Sequence, residues 1–310
     1  MIPTLKQLKY LCAVARFKHF SKAAEHCHVT QSTLSAGIQD LESQLGVTLF
    51  ERNKKAVLVT PIGEKVVAQA RVLLGNAEDL VAIAKAGQEA LSGEYRLGVI
   101  PTIGPFILPA MLSDLRRRYK KLKLYLKEEL SAELFQSLQQ GDLDLILVAL
   151  PYTFPDMHVE PLFWDEFVLL LPPGHPLGKN QSVREAQLKG EKLLLLEEGH
   201  CLRDHALEAC KIEASKMDVT YQGTSLHTLV QMVANQLGMT LLPEIAVKAK
   251  ILGNTHLQTL PFKGSQVARQ VGLAWRQSDP RHEDYLALSD FIRQWVSKRL
   301  KVRVIPSQSS

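Results

Sequence analysis

The 310-residue chain is poor in cysteine and has no long apolar run. Four cysteines are too few for a fold held together by disulfides. No apolar stretch approaches the roughly 20 residues of a membrane span, and the N-terminus lacks the apolar core of a signal peptide. We therefore expect a cytoplasmic protein, where a cysteine pair is more often catalytic or sensing than structural.

Motifs for bound nucleotides and metals are also missing. The sequence contains no Walker-type loop and no Gly-x-Gly-x-x-Gly, so nothing supports a nucleotide cofactor. His26-Cys27-His28 resembles a metal cluster, but adjacent residues at a helix end point in different directions and no second cluster has ligand spacing. We expect no cofactor and no metal, with Cys12 and Cys27 packed in a core.

Positive charge is concentrated at the N-terminus. Residues 1–60 carry eight Lys/Arg against four acids, a balance of +4, whereas the other 250 residues share +1 of the net +5. The basic excess therefore belongs to one N-terminal domain.

That domain has the pattern of a winged helix-turn-helix. Apolar residues recur at helical spacing over 4–16, Ser21 is a candidate N-cap for a helix over 22–27, and a third helix follows over 31–45. Residues 49–60 then predict a two-stranded wing with a basic tip, suited to DNA backbone contact. The alternative is a small helical bundle with a solvated charge run. The predicted DNA contacts are Ser21, Gln31, Ser32, Thr33, Ser35, Arg52, Lys54 and Lys55.

A long helix and an α/β region follow. Pro61 suits the first position of a helix capped by Thr60, and its apolar residues (66, 70, 73, 77, 80, 84) repeat every 3.5 residues, as in helices that pair. We read 1–60 as the DNA-binding domain and 61–92 as a dimerising linker. Alternating strands and helices over 93–300 predict a mostly parallel α/β sheet in two lobes, about 93–165 with 268–300 and about 166–267. Residues 301–310 are predicted to be a disordered tail.

Cys201 is the candidate reactive residue. His200 and Arg203 flank it, and it stands near the start of a helix predicted over 202–212, so its surroundings favour the nucleophilic thiolate. A continuous helix would separate Cys201 from Cys210 by roughly 13 Å of rise, and a disulfide needs Cα atoms within about 7 Å. A disulfide between Cys201 and Cys210 would therefore unwind the helix between them, so that the redox state would select one of two conformations. The alternative is two unrelated buried cysteines.

Thr102 is a second candidate. It follows the strand predicted over 96–100, at a cleft position. Its hydroxyl can donate to a small oxyanion or peroxide, although a plain helix N-cap is the alternative.

The first 90 residues resemble the LysR-type transcriptional regulators. The similarity rests on Phe20-Ser21-Lys22-Ala23-Ala24, Thr30-Gln31-Ser32-Thr33-Leu34-Ser35, Leu49-Phe50-Glu51-Arg52 and Thr60-Pro61-Ile62-Gly63. The remainder resembles the two-lobed effector domain of that family, which is itself similar to periplasmic binding proteins. Gly199-His200-Cys201-Leu202-Arg203-Asp204 with Cys210 looks like the signature of the peroxide-sensing members.

The resemblance implies roles for individual residues. Cys201 would be the peroxidatic cysteine and Cys210 the resolving one. Thr102, His200, Asp204 and Arg269 would surround hydrogen peroxide, with Ser131 where a threonine is expected. The implied partners are double-stranded promoter DNA, hydrogen peroxide, RNA polymerase, a second copy through the linker helix with assembly to a homotetramer, and thiol reductants such as glutaredoxin or thioredoxin.

Three functions are thus compared. The first is a non-enzymatic, peroxide-activated regulator of oxidative-stress genes, acting as activator or repressor. The second keeps DNA binding but places a small-molecule inducer in the cleft, with both cysteines structural. The third is a thiol peroxidase, in which the basic helix-turn-helix would have no task.

Overall fold

The chain forms two compact units, Met1–Gly87 and Gln88–Ser310. The computed structural model describes residues 2–52, 57–85, 90–151, 155–210, 222–263 and 267–307. None of the helices in these ranges is long and apolar enough to cross a membrane. The first unit consists of α1 (Leu5–Phe17), α2 (Phe20–His26), α3 (Gln31–Leu45), β1 (Phe50–Arg52), β2 (Val57–Val59) and α4 (Pro61–Lys85).

Local caps explain where the first helices begin. Thr4 and Gln7 form a capping box at the start of α1, and the hydroxyl of Thr30 accepts the backbone N–H of Thr33 at 3.2 Å at the start of α3. Close packing then joins α1 to α3, because a Cβ at Gly37 would stand 2.8 Å from the Tyr10 ring. The predicted order of helix, turn, helix and two-stranded wing is present.

The prediction of Ser21 as an N-cap is wrong. Helix α2 already begins at Phe20, after His19 in extended conformation. Ser21 lies inside the first turn, where its hydroxyl donates to Oε1 of Gln31 at 2.6 Å. The side chain therefore joins α2 to the start of α3.

Helix α4 begins at Pro61 as predicted, with the Thr60 hydroxyl accepting the Gly63 N–H at 3.0 Å. Its apolar positions divide between two environments. Ala70 is buried in the first unit's own core, whereas Leu73 and Leu80 are 45% and 67% exposed. The expectation that this whole seam serves a partner helix is thus wrong for the first turns, which pack on α1.

The second unit is an α/β structure built on one mixed seven-stranded sheet. The sheet consists of β3 (Gly93–Val99), β4 (Leu122–Glu128), β5 (Leu145–Leu150), β6 (Met157–Leu171), β9 (Thr240–Pro243), β10 (Gln258–Pro261) and β11 (Ala268–Arg276). A separate two-stranded sheet consists of β7 (Leu195–Leu196) and β8 (Gln222–Gly223). The helices of the second unit are α5 (Gly104–Arg118), α6 (Ser131–Gln139), α7 (Cys201–Cys210), α8 (Leu226–Ala234), α9 (Glu244–Lys248) and α10 (His282–Leu300).

The sheet corrects the expectation of mostly parallel strands. Its order is β10-β6-β11-β5-β3-β4, with β9 also on β6. Among the described residues of this sheet, β3 pairs in parallel with β4 and with β5, while β11 runs antiparallel to both β5 and β6. The reason is β6, a 15-residue strand of which only 167–171 was expected. Its first part pairs with β11 and its last part with β9 and β10, so it passes from one lobe to the other. A strand expected over 219–221 lies outside the described residues.

The predicted disordered tail is wrong over residues 301–307. Val302 is buried, and Val304 forms an antiparallel bridge with Phe163 of β6. The Trp164 N–H donates to the Arg303 carbonyl, and the Ile305 N–H donates to the Leu162 carbonyl, both at 2.8 Å. Apolar burial and backbone hydrogen bonds outweigh the basic and serine-rich composition. Residues 308–310 lie outside the described ranges.

Candidate functional site

Thr102, Arg269 and Asp165 form a buried polar cluster in the second unit. The guanidinium of Arg269 donates to the Thr102 hydroxyl at 2.8 Å and to the Thr102 carbonyl at 3.0 Å. Its Nε donates to the Asp165 carboxylate at 3.0 Å. All three residues are at most 2% exposed. A buried ion pair with these hydrogen bonds holds the three side chains in fixed positions.

The fold explains why these distant residues meet. Arg269 of β11 and Asp165 of β6 are direct register partners on antiparallel strands. Thr102 lies in the turn after β3, at the carboxyl end of that strand and just before α5. The N-cap of α5 is Ile103, so the N-cap alternative for Thr102 is wrong.

Asp165 was missed in the sequence analysis, although it holds the site together. Its second carboxylate oxygen accepts the Ile245 N–H of α9 at 3.1 Å. Burial raises the pKa of the Asp165 carboxyl, and the charge of Arg269 opposes that effect. The strand also contains Glu160 and Glu166, so the sequence alone does not show which of its carboxylates is buried and needs a partner.

Cys201 and Cys210 are the first and last residues of α7. The structure therefore has the continuous helix that the sequence predicted between them, with nine residues and roughly 13 Å of rise. Cys201 is a free, partly buried cysteine packed against the core. Gly199, with φ of 94°, makes the left-handed turn before the helix. Arg203 forms an ion pair with Glu198 at 3.2 Å, so its charge is shared with an exposed carboxylate.

The turn before α7 packs against the residue that precedes Ser131. A Cβ on Gly199 would lie 3.1 Å from Leu130, the residue before Ser131. Ser131 is 4% exposed, and its hydroxyl has no hydrogen-bond partner within the described part of the chain. A buried hydroxyl without a partner is costly unless a ligand or water satisfies it.

His200 and Asp204 are placed less deeply. Burial lowers the pKa of the His200 imidazole, and the carboxylate of Glu197 opposes that shift. Asp204 is exposed on the first turn of α7. Of the predicted peroxide residues, the structure thus brings Thr102 and Arg269 into direct contact, and it leaves Ser131 buried.

His205 is a further residue that the sequence analysis did not single out. It lies one helical turn after Cys201, and residues four apart share a helix face. Burial lowers the pKa of His205 to about 4, and the charge of Arg269 acts in the same direction. Its Nδ1 is buried without a hydrogen-bond partner among the described residues. The imidazole is therefore neutral at physiological pH and belongs to the same cluster as Arg269.

Replacing His205 with glutamine should flatten the acid side of the stability profile. Between pH 6.5 and about 4 the unfolded chain binds a proton at this side chain that the folded chain excludes, so stability falls as the pH falls through that window. Between neutral pH and about pH 4, the free energy of unfolding of the native chain should fall by about 2 to 3 kcal/mol more than that of H205Q. Urea unfolding at several pH values measures this, and parallel profiles for the two proteins would contradict it.

Family comparison now connects this site with the DNA-binding unit. Residues 5–64 match the bacterial regulatory helix-turn-helix proteins of the lysR family, and residues 88–297 match the LysR substrate binding domain. The chain belongs to the LysR family of transcriptional regulators. The predicted α/β fold, with an N-terminal winged helix-turn-helix and a two-lobed regulatory domain, is therefore confirmed.

Several LysR relatives are similar over nearly their whole length. The HTH-type transcriptional regulator EstR of Acinetobacter baylyi is 40% identical over 94% of this chain and 97% of its own. A probable hydrogen peroxide-inducible genes activator of Streptomyces viridosporus is 40% identical over 98% of this chain and 97% of its own. A full-length OxyR variant from Pseudomonas aeruginosa has a similar structure, with a TM-score of 0.80, 39% identity and coverage of 94% and 95%. These are regulators and not enzymes, which removes the thiol peroxidase.

The residues predicted to contact DNA can be located individually in the structure. Gln31, Ser32 and Thr33 are exposed on the first turn of α3, and Ser35 is partly buried one turn later. Arg52 ends β1, whereas Lys54 and Lys55 lie outside the described residues. The polar start of α3 is the part of a recognition helix that meets base edges.

Proposed function

We propose that this LysR-family protein is a transcription regulator that senses hydrogen peroxide through a reversible Cys201–Cys210 disulfide. The observation that carries the proposal is α7, which has a cysteine at each end. The similarity to proteins named as peroxide-inducible gene activators and OxyR supports it. Helical geometry keeps the two cysteines too far apart to bond, so oxidation has a structural consequence.

The chemistry balances with peroxide as the oxidant. The Cys201 thiolate attacks one peroxide oxygen, the O–O bond breaks, and the other oxygen leaves as hydroxide, which takes a proton to form water. The thiolate of Cys210 then attacks the sulfur of the Cys201 sulfenic acid. A second water leaves, and two thiols have reduced one peroxide while forming one disulfide. A thiol reductant of the glutaredoxin or thioredoxin type returns two electrons and resets the switch.

The buried cluster supplies a site for the peroxide. The Thr102 hydroxyl and Arg269 guanidinium are already in contact, and Ser131 offers a buried hydroxyl that needs a partner. We assign peroxide binding to these three, with His200 and Asp204 at the start of α7. Hydrogen bonds aimed at the leaving oxygen stabilise the charge that develops on it.

Unwinding α7 would carry the signal to DNA. The helix contributes buried Leu202 and Ala206 to the core of the second unit, so its loss changes how that unit packs. The exposed Leu73 and Leu80 of α4 suit pairing with a second copy. We propose a homodimer through α4, assembly of dimers into a homotetramer, and recruitment of RNA polymerase at stress promoters.

Peptide mass spectrometry tests the proposal directly. We expect one equivalent of hydrogen peroxide to produce a 201–210 linkage, and a thiol reductant to remove it. The measurement should be repeated on C210S, in which the sulfenic acid of Cys201 should be trapped by dimedone. Oxidation without this linkage in the native chain would refute the disulfide mechanism.

A further inference from the structure

A dense group of cations lies on the second unit, outside the sequence of the helix-turn-helix. Residues 116–123 contain six Lys/Arg and no acid. All six side chains are exposed. We call this group the basic patch: Arg116, Arg117, Arg118, Lys120, Lys121 and Lys123. Residues 61–310 carry a net charge of +1 with the six cations included and −5 without them, so the patch is a local concentration of positive charge.

Local structure accounts for only part of this charge. Arginines in the last turn of α5 interact favourably with the helix dipole, but a helix end carries only about half a charge. Asp114 forms ion pairs with Arg117 and with Arg299, and Glu94 lies 3.3 Å from Lys123. Arg116, Arg118 and Lys120 form no ion pair with any of the described residues, so at least three positive charges of the patch remain.

The patch is also presented in a fixed geometry. Arg118 lies over the rings of Tyr119 and Phe291, at 5.5 and 5.9 Å from their centroids, and donates to Gln294 at 3.5 Å. The Lys121 carbonyl accepts the N–H of Gly93 at 3.1 Å. Gly93 is the first residue of β3, so the patch lies where the chain enters this unit from the linker helix. The cations therefore line the end by which the unit is tethered to the DNA-binding domain.

We propose that the basic patch is a second DNA-binding surface, which contacts the phosphate backbone of DNA flanking the sites held by the helix-turn-helix. Phosphate contacts need positive charge and not base-specific side chains, and the patch offers this chemistry. Exposed lysines and arginines in a short loop and helix end fit a polyanion of regular spacing. DNA bound by the helix-turn-helix would be at high local concentration near the patch, because the linker helix α4 joins the two units.

Salt-dependent DNA binding tests the proposal. The triple variant R116Q/R117Q/K120Q removes three charges from the patch, and K179Q/K189Q/K263Q is a matched control at exposed lysines elsewhere on the unit. Full-length reduced protein is titrated against a footprinted promoter duplex at several salt concentrations. We expect the patch variant to bind at least tenfold more weakly at low salt, with a salt slope smaller by roughly 1 to 3 per contacting protomer. The control should match the native protein.

A second arm changes the length of the DNA for both the native protein and the patch variant. Duplexes that end at the footprinted site should weaken native binding as much as the patch substitutions do, and should leave binding of the patch variant unchanged. Equal salt slopes for native and patch-variant proteins on the long duplex would overturn the proposal. So would intact DNA affinity with loss only of transcription by RNA polymerase, because the patch would then bind an acidic protein surface.

Discussion

We expect the substitution of Cys201 with serine to abolish the effect that hydrogen peroxide is proposed to have on promoter binding. A serine hydroxyl does not attack the O–O bond at neutral pH, whereas a thiolate does. We expect the footprint of C201S to be identical with and without peroxide, and to match that of the reduced native protein. C210S should also fail to form the disulfide, but it should still consume one equivalent of peroxide at Cys201. Footprinting and thiol titration measure the two effects.

Cys27 provides the matched control. It is also a partly buried free cysteine, but burial raises the pKa of its thiol, with Lys9 opposing. It is therefore the less reactive form of cysteine, and C27S should respond to peroxide as the native protein does. If C201S kept its peroxide response, the sensing mechanism would be wrong. If it instead responded to a small organic ligand while ignoring peroxide, the cleft would hold an inducer.

Replacing Asp165 with alanine should destabilise the second unit by about 3 to 5 kcal/mol, because it leaves the guanidinium of Arg269 buried beside an empty position. Asp165 and Arg269 have no exposed side-chain surface, so water cannot replace the lost carboxylate. For a unit of this size the loss lowers Tm by roughly 10 °C. Calorimetry of the full-length protein measures this, with the DNA-binding unit serving as an internal reference.

Asp290 is the control for this substitution. It also forms an ion pair, with Arg293 at 3.0 Å, but its side chain is 60% exposed. D290A should cost no more than about 1 kcal/mol, as is usual for surface pairs. The double variant D165A/R269L should recover much of the loss by removing the unpaired charge. Equal Tm values for D165A and D290A would show that the buried ion pair contributes no more to stability than the exposed one.

The features that sequence predicts well here are those with local causes. The cap at Thr60, the 3.6-residue periodicity of α1 and α3, and the unbroken helical run after Cys201 are each encoded within about ten residues. For the same reason the spacing of Cys201 and Cys210 translates directly into a distance between them. The incompatibility of that distance with a disulfide follows from helix geometry alone.

The features that sequence misses depend on long-range register. Asp165 and Arg269 are 104 residues apart, and only the pairing of β6 with β11 sets them opposite each other. The same long β6 turned the expected parallel sheet into a mixed one. His205 could have been noticed, because it is four residues from Cys201, but only its burial in the fold, and then the charge of Arg269, shows that its pKa is lowered.

The segment 301–307 has a consequence for self-association of this protein. Between Leu162 and Trp164, β6 is bonded to β11 on one side and to residues 303–305 on the other. Without the segment, those N–H and C=O groups would form a bare sheet edge, the kind of template onto which another chain can add a strand. By covering this edge of β6, the short segment after α10 disfavours the addition of a strand from another chain.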